Sequence, residues 1–509
     1  MTTAQQFDPR RWRGLFVLLL GQFCALLDVS VTNVALPSIG RATGASSSEL
    51  QWVVSGYVLA FGLMPVIGGR LGDDHGRRRI FIIGVIGFVI ASATVGLSPD
   101  PILIIVARVI QGLFGGIVGP QISGYIQSAF PRNERGRAFG GLGVTVGVAT
   151  ALGPVVGGLL IGLGGDQFGW RLVFFINVPI GIAAVILAMA WVSRLEPAAG
   201  KSPSRLDAPG AALLGLTILL VLFPAVELDT FHSGWLFLLL IPAGILLFAF
   251  VRRESRLTRE HREPLLDLRL FRKPSFAFGT AFILLYFCGF TGLPLVLSLY
   301  YQQGAGFSAL QAGLGVSAFA VGSAIAAPIA GRLVGRFGRP LVVVGVSVFM
   351  LSSVTIGIVV GSDRGLTDPT EIILRLAVPL FFLGIGGGAV ITPNQTLSLA
   401  DVDPAIGGSA GGVLQTSQRV GSAIGQAAIG ATFFAAVGGA AASRVPGHPA
   451  AHPEAFAGAL TVSIFAAVAF SLLALALGIT DAAIGHRRKG EQQRDSQRGG
   501  PQPGDQPAT

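Results

Sequence analysis

From Gly14 to Ile479 the chain repeats one pattern: an apolar run of about twenty residues, then a polar or basic connection. A helix rises 1.5 Å per residue, so a run of that length crosses the roughly 30 Å hydrocarbon core of a bilayer. Every backbone polar group must then be satisfied inside the chain, which makes a bundle of spanning helices the fold such segments can adopt. Composition agrees. Only 12% of residues are charged and the mean hydropathy is +0.69, against about 25% charged residues in soluble domains. The 72 glycines fall mostly within apolar runs, where small residues let helix backbones approach closely.

Fourteen spans are predicted. Six lie at about 14–36, 50–69, 80–97, 101–122, 138–162 and 170–192, and two at about 208–226 and 234–251. The last six lie at about 275–299, 309–331, 341–360, 372–392, 410–436 and 455–479. The short basic stretches "GRLGDDHGR" (Gly69–Arg77) and "GRLVGRFGR" (Gly331–Arg339) join spans two to three and ten to eleven. Spans nine to fourteen therefore repeat spans one to six. Repeated halves around a central site are a common plan among secondary transporters. The expected organisation is an end segment 1–13, a six-helix bundle 14–192, an inserted pair within 193–251, a basic loop 252–274, a second bundle 275–479 and a disordered tail 480–509.

A net charge of +10 suggests nucleic acid, but its placement points elsewhere. Of the 36 Lys and Arg, five (Arg41, Arg171, Arg364, Arg375, Arg444) fall on one side of the predicted spans and two (Arg108, Arg419) inside them. All the others lie on the opposite side. By the positive-inside rule that side is cytoplasmic, with both termini on it. Cys24 and Cys288 sit in apolar runs and imply no disulfide. The first span is too long for a cleaved signal and lacks a small-residue cleavage site.

The connection "GRLGDDHGRRR" is the most specific motif. Gly69 and Gly76 permit a tight reversal, and Asp73 can bond free N–H groups at a helix start or pair with Arg77. A plain cytoplasmic anchor would need only the arginines. This stretch resembles the GxLxDxxGRR loop of the major facilitator superfamily. "RVIQGLFGG" (Arg108–Gly116) resembles that superfamily's fourth-helix motif, and "GVATALGPVVGG" (Gly147–Gly158) its antiporter helix. "LDVSVTNVALPSI", "QWVVSGYVLA" and "WRLVFFINVPIG" are similar to fourteen-helix drug:proton antiporters of the EmrB/QacA type. The resemblance implies the major facilitator fold, an all-α polytopic membrane protein of two six-helix halves plus two inserted helices. It also implies a cytoplasmic latch at Gly69, Asp73, Gly76 and Arg77, proton coupling through Arg108, and an exporter helix at Gly147, Gly153, Pro154, Gly157 and Gly158. The second loop has Gly335 in place of Asp73, so the latch is expected to be one-sided. Physically, "GPVVGG" is either a flexing element or ordinary glycine-mediated packing.

A carboxylate stands inside the first span, at Asp28. A charge at that depth costs roughly 2.5–3.5 kcal/mol on insertion scales, so it is paired, protonated or working. Span one runs outward from about Gly14 and span four inward from about Pro101, which sets Asp28 and Arg108 at one depth, roughly 9–10 Å below the outer boundary. Desolvation raises a carboxylate's pKa and a nearby guanidinium lowers it, so a change in that contact can load or release a proton. A static Asp28–Arg108 bridge and a capping role are the alternatives. Candidate substrate contacts are Gln22, Asn33, Tyr57, Gln111, Gln121, Asn177, Tyr286, Asn394, Gln395 and Gln415. Arg419 either faces the cavity or snorkels to the surface. No buried acid is expected in the last six spans, and Glu227 and Asp229 sit near an outer helix end, which favours a neutral, singly charged or amphipathic substrate.

Enzyme chemistry finds no support. "EPAAGKS" lacks the first glycine of a phosphate loop, "GGSAG" lacks a strand–turn–helix setting, and all six histidines lie outside the spans. No cofactor or metal is expected. The reading is proton-driven efflux of drugs or antibiotics, with a metabolite or siderophore exporter of the same fold and a non-transporting membrane sensor as rivals. Small molecules, protons and lipid are the expected partners, with no nucleic acid and a functional monomer.

Overall fold

In a computed structural model, described over residues 8–193, 207–231, 234–260, 262, 264–362, 368–442 and 453–498, the chain is a helical bundle with no strand among the described residues. The first half contains α1 (Arg11–Thr43), α2 (Ser47–His75), α3 (Arg77–Leu97), α4 (Pro101–Ala129), α5 (Arg132–Phe175) and α6 (Asn177–Trp191). The second contains α9 (Pro274–Leu299), α10 (Ala309–Phe337), α11 (Arg339–Ser362), α12 (Pro369–Ser398), α13 (Gly407–Ala442) and α14 (Pro453–Arg498). Between them lie α7 (Ala208–Phe231) and α8 (Leu240–Arg259).

Twelve helices among the described residues are long and apolar enough to cross a membrane. The inserted pair is shorter. The apolar run of α7 is Ala208–Pro224. The eighth predicted span begins in a 3₁₀ segment, Gly234–Leu239, before α8. Residues 234–251 still reach about 30 Å, because the 3₁₀ turns rise about 2.0 Å per residue. α5 breaks at Gly165, whose φ of 67° lies in the left-handed region that glycine tolerates. Spans five and six are accordingly 132–165 and 167–191. The stretch 153–158 stays helical, so the change of direction comes well after "GPVVGG".

The internal repeat extends to the helix starts. α2 opens on a Ser46–Glu49 capping box and α10 on a Ser308–Gln311 box. α4 and α12 both begin with Asp-Pro, and the Asp100 and Asp368 carboxylates accept the N–H groups of Leu103 and Thr370. Each reciprocal cap satisfies orphan donors that lipid cannot. The halves meet along α2 against α13 and α5 against α10, and α7 lies against α2 and α13.

Two expectations need correction. The tail is helical as far as Arg498, and only residues 499–509 lie outside the description. Its Glu, Gln and Arg are strong helix formers that extend α14 up to Gly499–Gly500. A buried acid does close the second half, since Asp481 of α14 is 9% exposed and pairs with Arg339 at 2.5 Å. It lies just past the apolar run, which hid it from a search confined to the spans.

Beyond the apolar part of α8, Glu254 is fully buried and accepts the Leu266 N–H at 3.0 Å. Its other oxygen has no partner. Asp207, held by Arg253 at 2.6 Å, lies beside it. Burial, reinforced by Asp207, pushes the Glu254 carboxyl up to about 7. The folded protein keeps this proton where the unfolded chain, titrating near 4.5, has lost it. Stability therefore falls as pH rises from about 4.5 to 7 and levels off above, by at most roughly 1.4 kcal/mol per pH unit. Glu254→Gln is expected to flatten the melting temperature between pH 5 and 7. An equally steep profile in the variant would assign the dependence to other groups.

Candidate functional site

Asp28 is buried at the centre of the first half, and four helices contribute to its surroundings. Arg108 Nη1 donates to Oδ2 at 2.5 Å. Oδ1 accepts from Gln111 Nε2 at 3.0 Å and from Asn177 Nδ2 at 2.8 Å. Arg108 is held in turn by the Val53 carbonyl (3.1 Å) and Gln111 Oε1 (2.8 Å), with its guanidinium 4.1 Å from the Tyr57 ring centre. Asn177 also donates to Ser92 Oγ at 2.9 Å, while Cys24 Sγ lies 3.3 Å from Asn177 Oδ1. The Tyr57 hydroxyl donates to the Ala25 carbonyl. Asp28, Arg108, Gln111, Asn177, Ser92, Cys24 and Tyr57 are all at most 1% exposed. The arrangement is an enclosed ion pair with every oxygen of the carboxylate occupied. Such a pair is costly to desolvate and strongly destabilising if one partner is lost.

Small residues set this geometry. A Cβ at Gly112 would stand 2.4 Å from the Tyr57 carbonyl, and one at Gly116 would stand 2.5 Å from that of Phe61. The "RVIQGLFGG" spacing thus lets α4 lie against the α2 backbone and lays Arg108 over Tyr57. Gly153 does the same for α1, since its Cβ would come 2.1 Å from Ser30 Cβ. Gly157 faces Val31 and Val34, Gly147 faces Ala324 of α10, and Gly158 meets nothing within 4 Å. Gly153→Leu is expected to force α1 away two residues from Asp28, lowering the yield of folded protein severalfold or more. A well-folded, fully active variant in size-exclusion and transport assays would count against this packing role.

At the end where the basic connections lie, Asp73 bridges the two halves. Its Oδ1 accepts the Gly408 N–H (3.0 Å), and its Oδ2 accepts the Ser409 N–H (2.7 Å) and hydroxyl (2.8 Å), all at the start of α13. A carboxylate at a helix N-terminus satisfies orphan donors and complements the helix dipole. Arg77 joins Asp73 (2.8 Å), the Pro404 carbonyl (2.7 Å) and Ser128 Oγ (2.5 Å). Gly76 makes the reversal with φ 91°. Gly69, by contrast, lies within α2 and belongs to no turn. Its Cβ would stand 2.3 Å from the Gly408 carbonyl, so it is a site of close approach between the halves.

The repeat answers with Gly331 against Gly136, where a Cβ on either would come within 2.3 Å of the other's carbonyl. Gly335, the counterpart of Asp73, faces nothing within 4 Å. Arg339, the counterpart of Arg77, stays within its own half on Asn394, Ser275 and Asp481.

The remaining candidates divide. Tyr57, Gln111 and Asn177 belong to the carboxylate network. Gln121 ties α4 to the Gly68 carbonyl, and Asn394 donates to the Gly279 carbonyl, so both brace helices. Gln395 reaches Ser123 across the halves at 3.3 Å, and Gln415 packs on Gly119. Asn33 is exposed and stands apart from the network. Gln22 is buried with Oε1 unpartnered. Tyr286 is fully buried among Phe282, Phe287, Phe290 and Phe349, its hydroxyl without a partner. Arg419 lies 4.5 Å from the Phe61 ring centre, inside the bundle. The side chains of Pro154, Glu227 and Asp229 lie outside the described residues. Sequence reasoning passed over Ser92, Cys24 and Ser409, small polar residues that look like any other in an apolar helix.

Repeated six-helix halves, a polar centre enclosed in membrane-spanning helices and a contact between the halves at one end define a secondary transporter. Residues 18–426 match the family model of the Major Facilitator Superfamily, and the chain belongs to that family. It is 36% identical over 440 residues to a probable actinorhodin transporter of Streptomyces coelicolor, covering 86% of this chain and 75% of the relative. It is 32% identical to a tetracenomycin C resistance and export protein of Streptomyces glaucescens, covering 86% and 78%. Among solved structures it is similar to the human organic anion transporter MFSD10, with a TM-score of 0.66, 17% identity and coverage of 92% and 100%; that likeness concerns the fold alone.

Proposed function

We propose that the protein exports amphipathic small molecules, drugs or antibiotics among them, across the cytoplasmic membrane in exchange for protons. The observation that carries this reading is the enclosed Asp28–Arg108 pair. A carboxylate with three donors and no direct path to water is a poor structural element and a good switch. While the pair is closed, Arg108, Gln111 and Asn177 occupy both carboxylate oxygens. Withdrawal of Arg108 or entry of water while the site faces outward lets the carboxylate take a proton, and rocking of the halves to face the cytoplasm, with the pair re-formed, releases that proton there. The latch at Asp73 and Arg77 holds the basic end closed, and the positive-inside rule makes that end cytoplasmic, with both termini there. This conformation would then face outward, the side from which the proton enters once the pair opens. Export rather than uptake is supported by the names of the actinorhodin and tetracenomycin relatives. The proton gradient supplies the energy without a cofactor, and one chain contains both halves and so suffices as a monomer.

The deciding experiment is flux in everted vesicles with an imposed pH gradient. Protonophore-sensitive accumulation of toxic amphipaths supports the proposal. Gradient-independent exchange of one metabolite would replace it with a dedicated carrier of the same fold, and absence of any flux would leave a non-transporting sensor.

A further inference from the structure

Arg419 is the second guanidinium inside the bundle, and it is placed quite differently from Arg108. It lies twelve residues, roughly 18 Å, into α13. Seven residues earlier Gly412 touches the Pro65 backbone, and the ring under Arg419, Phe61, stands at the midpoint of α2. That depth is beyond snorkelling reach of the basic end, so the side chain stays in the middle of the bundle. Among the described residues no carboxylate pairs with it and no acceptor bonds it. It is partly exposed, where Arg108 is 1% exposed and carries a carboxylate. One turn toward the basic end, the Thr416 hydroxyl is buried without a partner.

Two further points argue that the fold does not require this cation. In register, the Gly136–Gly331 and Gly153–Ser30 contacts of α5 match Gly408–Gly69 and Gly425–Cys288 of α13. Arg419 then falls where α5 has Gly147, a position that meets only small residues of α10. Within the spans, moreover, Asp28 balances Arg108, and among the described residues no carboxylate balances Arg419. An intramembrane cation left without a counter-charge points to a ligand or ion path.

We infer that Arg419 docks the anionic group of the transported molecule, and that the substrate class is amphipathic organic anions whose apolar rings lie against Phe61. This rests on the export reading above. The Phe61 ring lies 5.8 Å from that of Tyr57, and Tyr57 underlies Arg108, so the anion site and the proton site are adjacent but use different residues. Substrate and proton would therefore exchange through the rocking of the halves, with no shared carboxylate to compete for. A cationic substrate would meet an uncompensated positive field at low dielectric.

The test uses three fluorescent probes on one ring system, anthracene-9-carboxylate, 9-anthracenemethanol and 9-anthracenylmethylammonium, in everted vesicles with a pH gradient. The full-length protein is expected to accumulate the carboxylate in preference to the other two. Arg419→Gln should raise KM for the carboxylate about tenfold or more, and Arg419→Lys should recover part of that loss. Size exclusion and melting of both variants separate misfolding from lost recognition. Export of the ammonium probe in preference to the carboxylate, unchanged in a folded Arg419→Gln variant, overturns the anion assignment and leaves proton-driven export standing. Failure to move any of the three, together with no protonophore-sensitive flux of any toxic amphipath, removes the export reading itself.

Discussion

Asp28→Asn is expected to reduce pH-driven transport to background, at least about a hundredfold, while substrate exchange without a gradient persists. The amide has the shape of the carboxylate and can still accept from Gln111 and Asn177, but it neither loads nor releases a proton and offers Arg108 no counter-charge. Stranding a buried guanidinium destabilises by roughly 3–5 kcal/mol, so a lower melting temperature alone would prove little. Adding Arg108→Gln removes the stranded charge and should restore much of the stability but none of the gradient-driven flux. Stability and coupling are thereby read separately. Gradient-driven transport by the folded double variant would show that another group carries the proton.

The reason Asp28 could be found in the sequence is physical: charges inside apolar runs are rare, and helix rise converts position into depth. That arithmetic brought Asp28 and Arg108 level, and they touch. What arithmetic along one helix cannot supply is the direction a side chain faces. Gln111 and Asn177 therefore stood among possible substrate contacts when both bond the carboxylate, and Asn394 stood there when it braces Arg339.

The motif around Asp73 announced a helix-start acceptor, but its partner Gly408, in the first turn of the helix it caps, lies 335 residues later, a distance no local pattern bridges. Gly69 was misjudged because a glycine beside a turn and a glycine under a crossing helix look the same in one dimension. The caps at Ser46 and Ser308, and the Asp-Pro starts of α4 and α12, were written in the sequence and would have doubled the evidence for the repeat.

Asp73→Asn should loosen the closed basic end and slow turnover about tenfold or more. Asp73 accepts three hydrogen bonds from the start of α13 and one from Arg77; an asparagine oxygen can keep one or two, while its amide confronts the remaining donors. Hydrogen bonds to charged groups contribute about 1.5–3 kcal/mol, so losing the charge alone shifts the balance between closed and open by roughly tenfold to 150-fold. The asymmetry sharpens the expectation, because Gly335 cannot compensate on the other side and Arg339 is committed within its own half. Spin labels on cysteines replacing the exposed His75 and Asp403 would report the separation across the latch, the two native cysteines being buried. The distance distribution should broaden toward longer values in Asp73→Asn, and the same shift should appear when Arg77, which also holds the Pro404 carbonyl, is changed to Gln. An unchanged distribution with normal turnover in both variants would mean that the Gly69–Gly408 contact closes this end unaided and that the carboxylate is incidental to it.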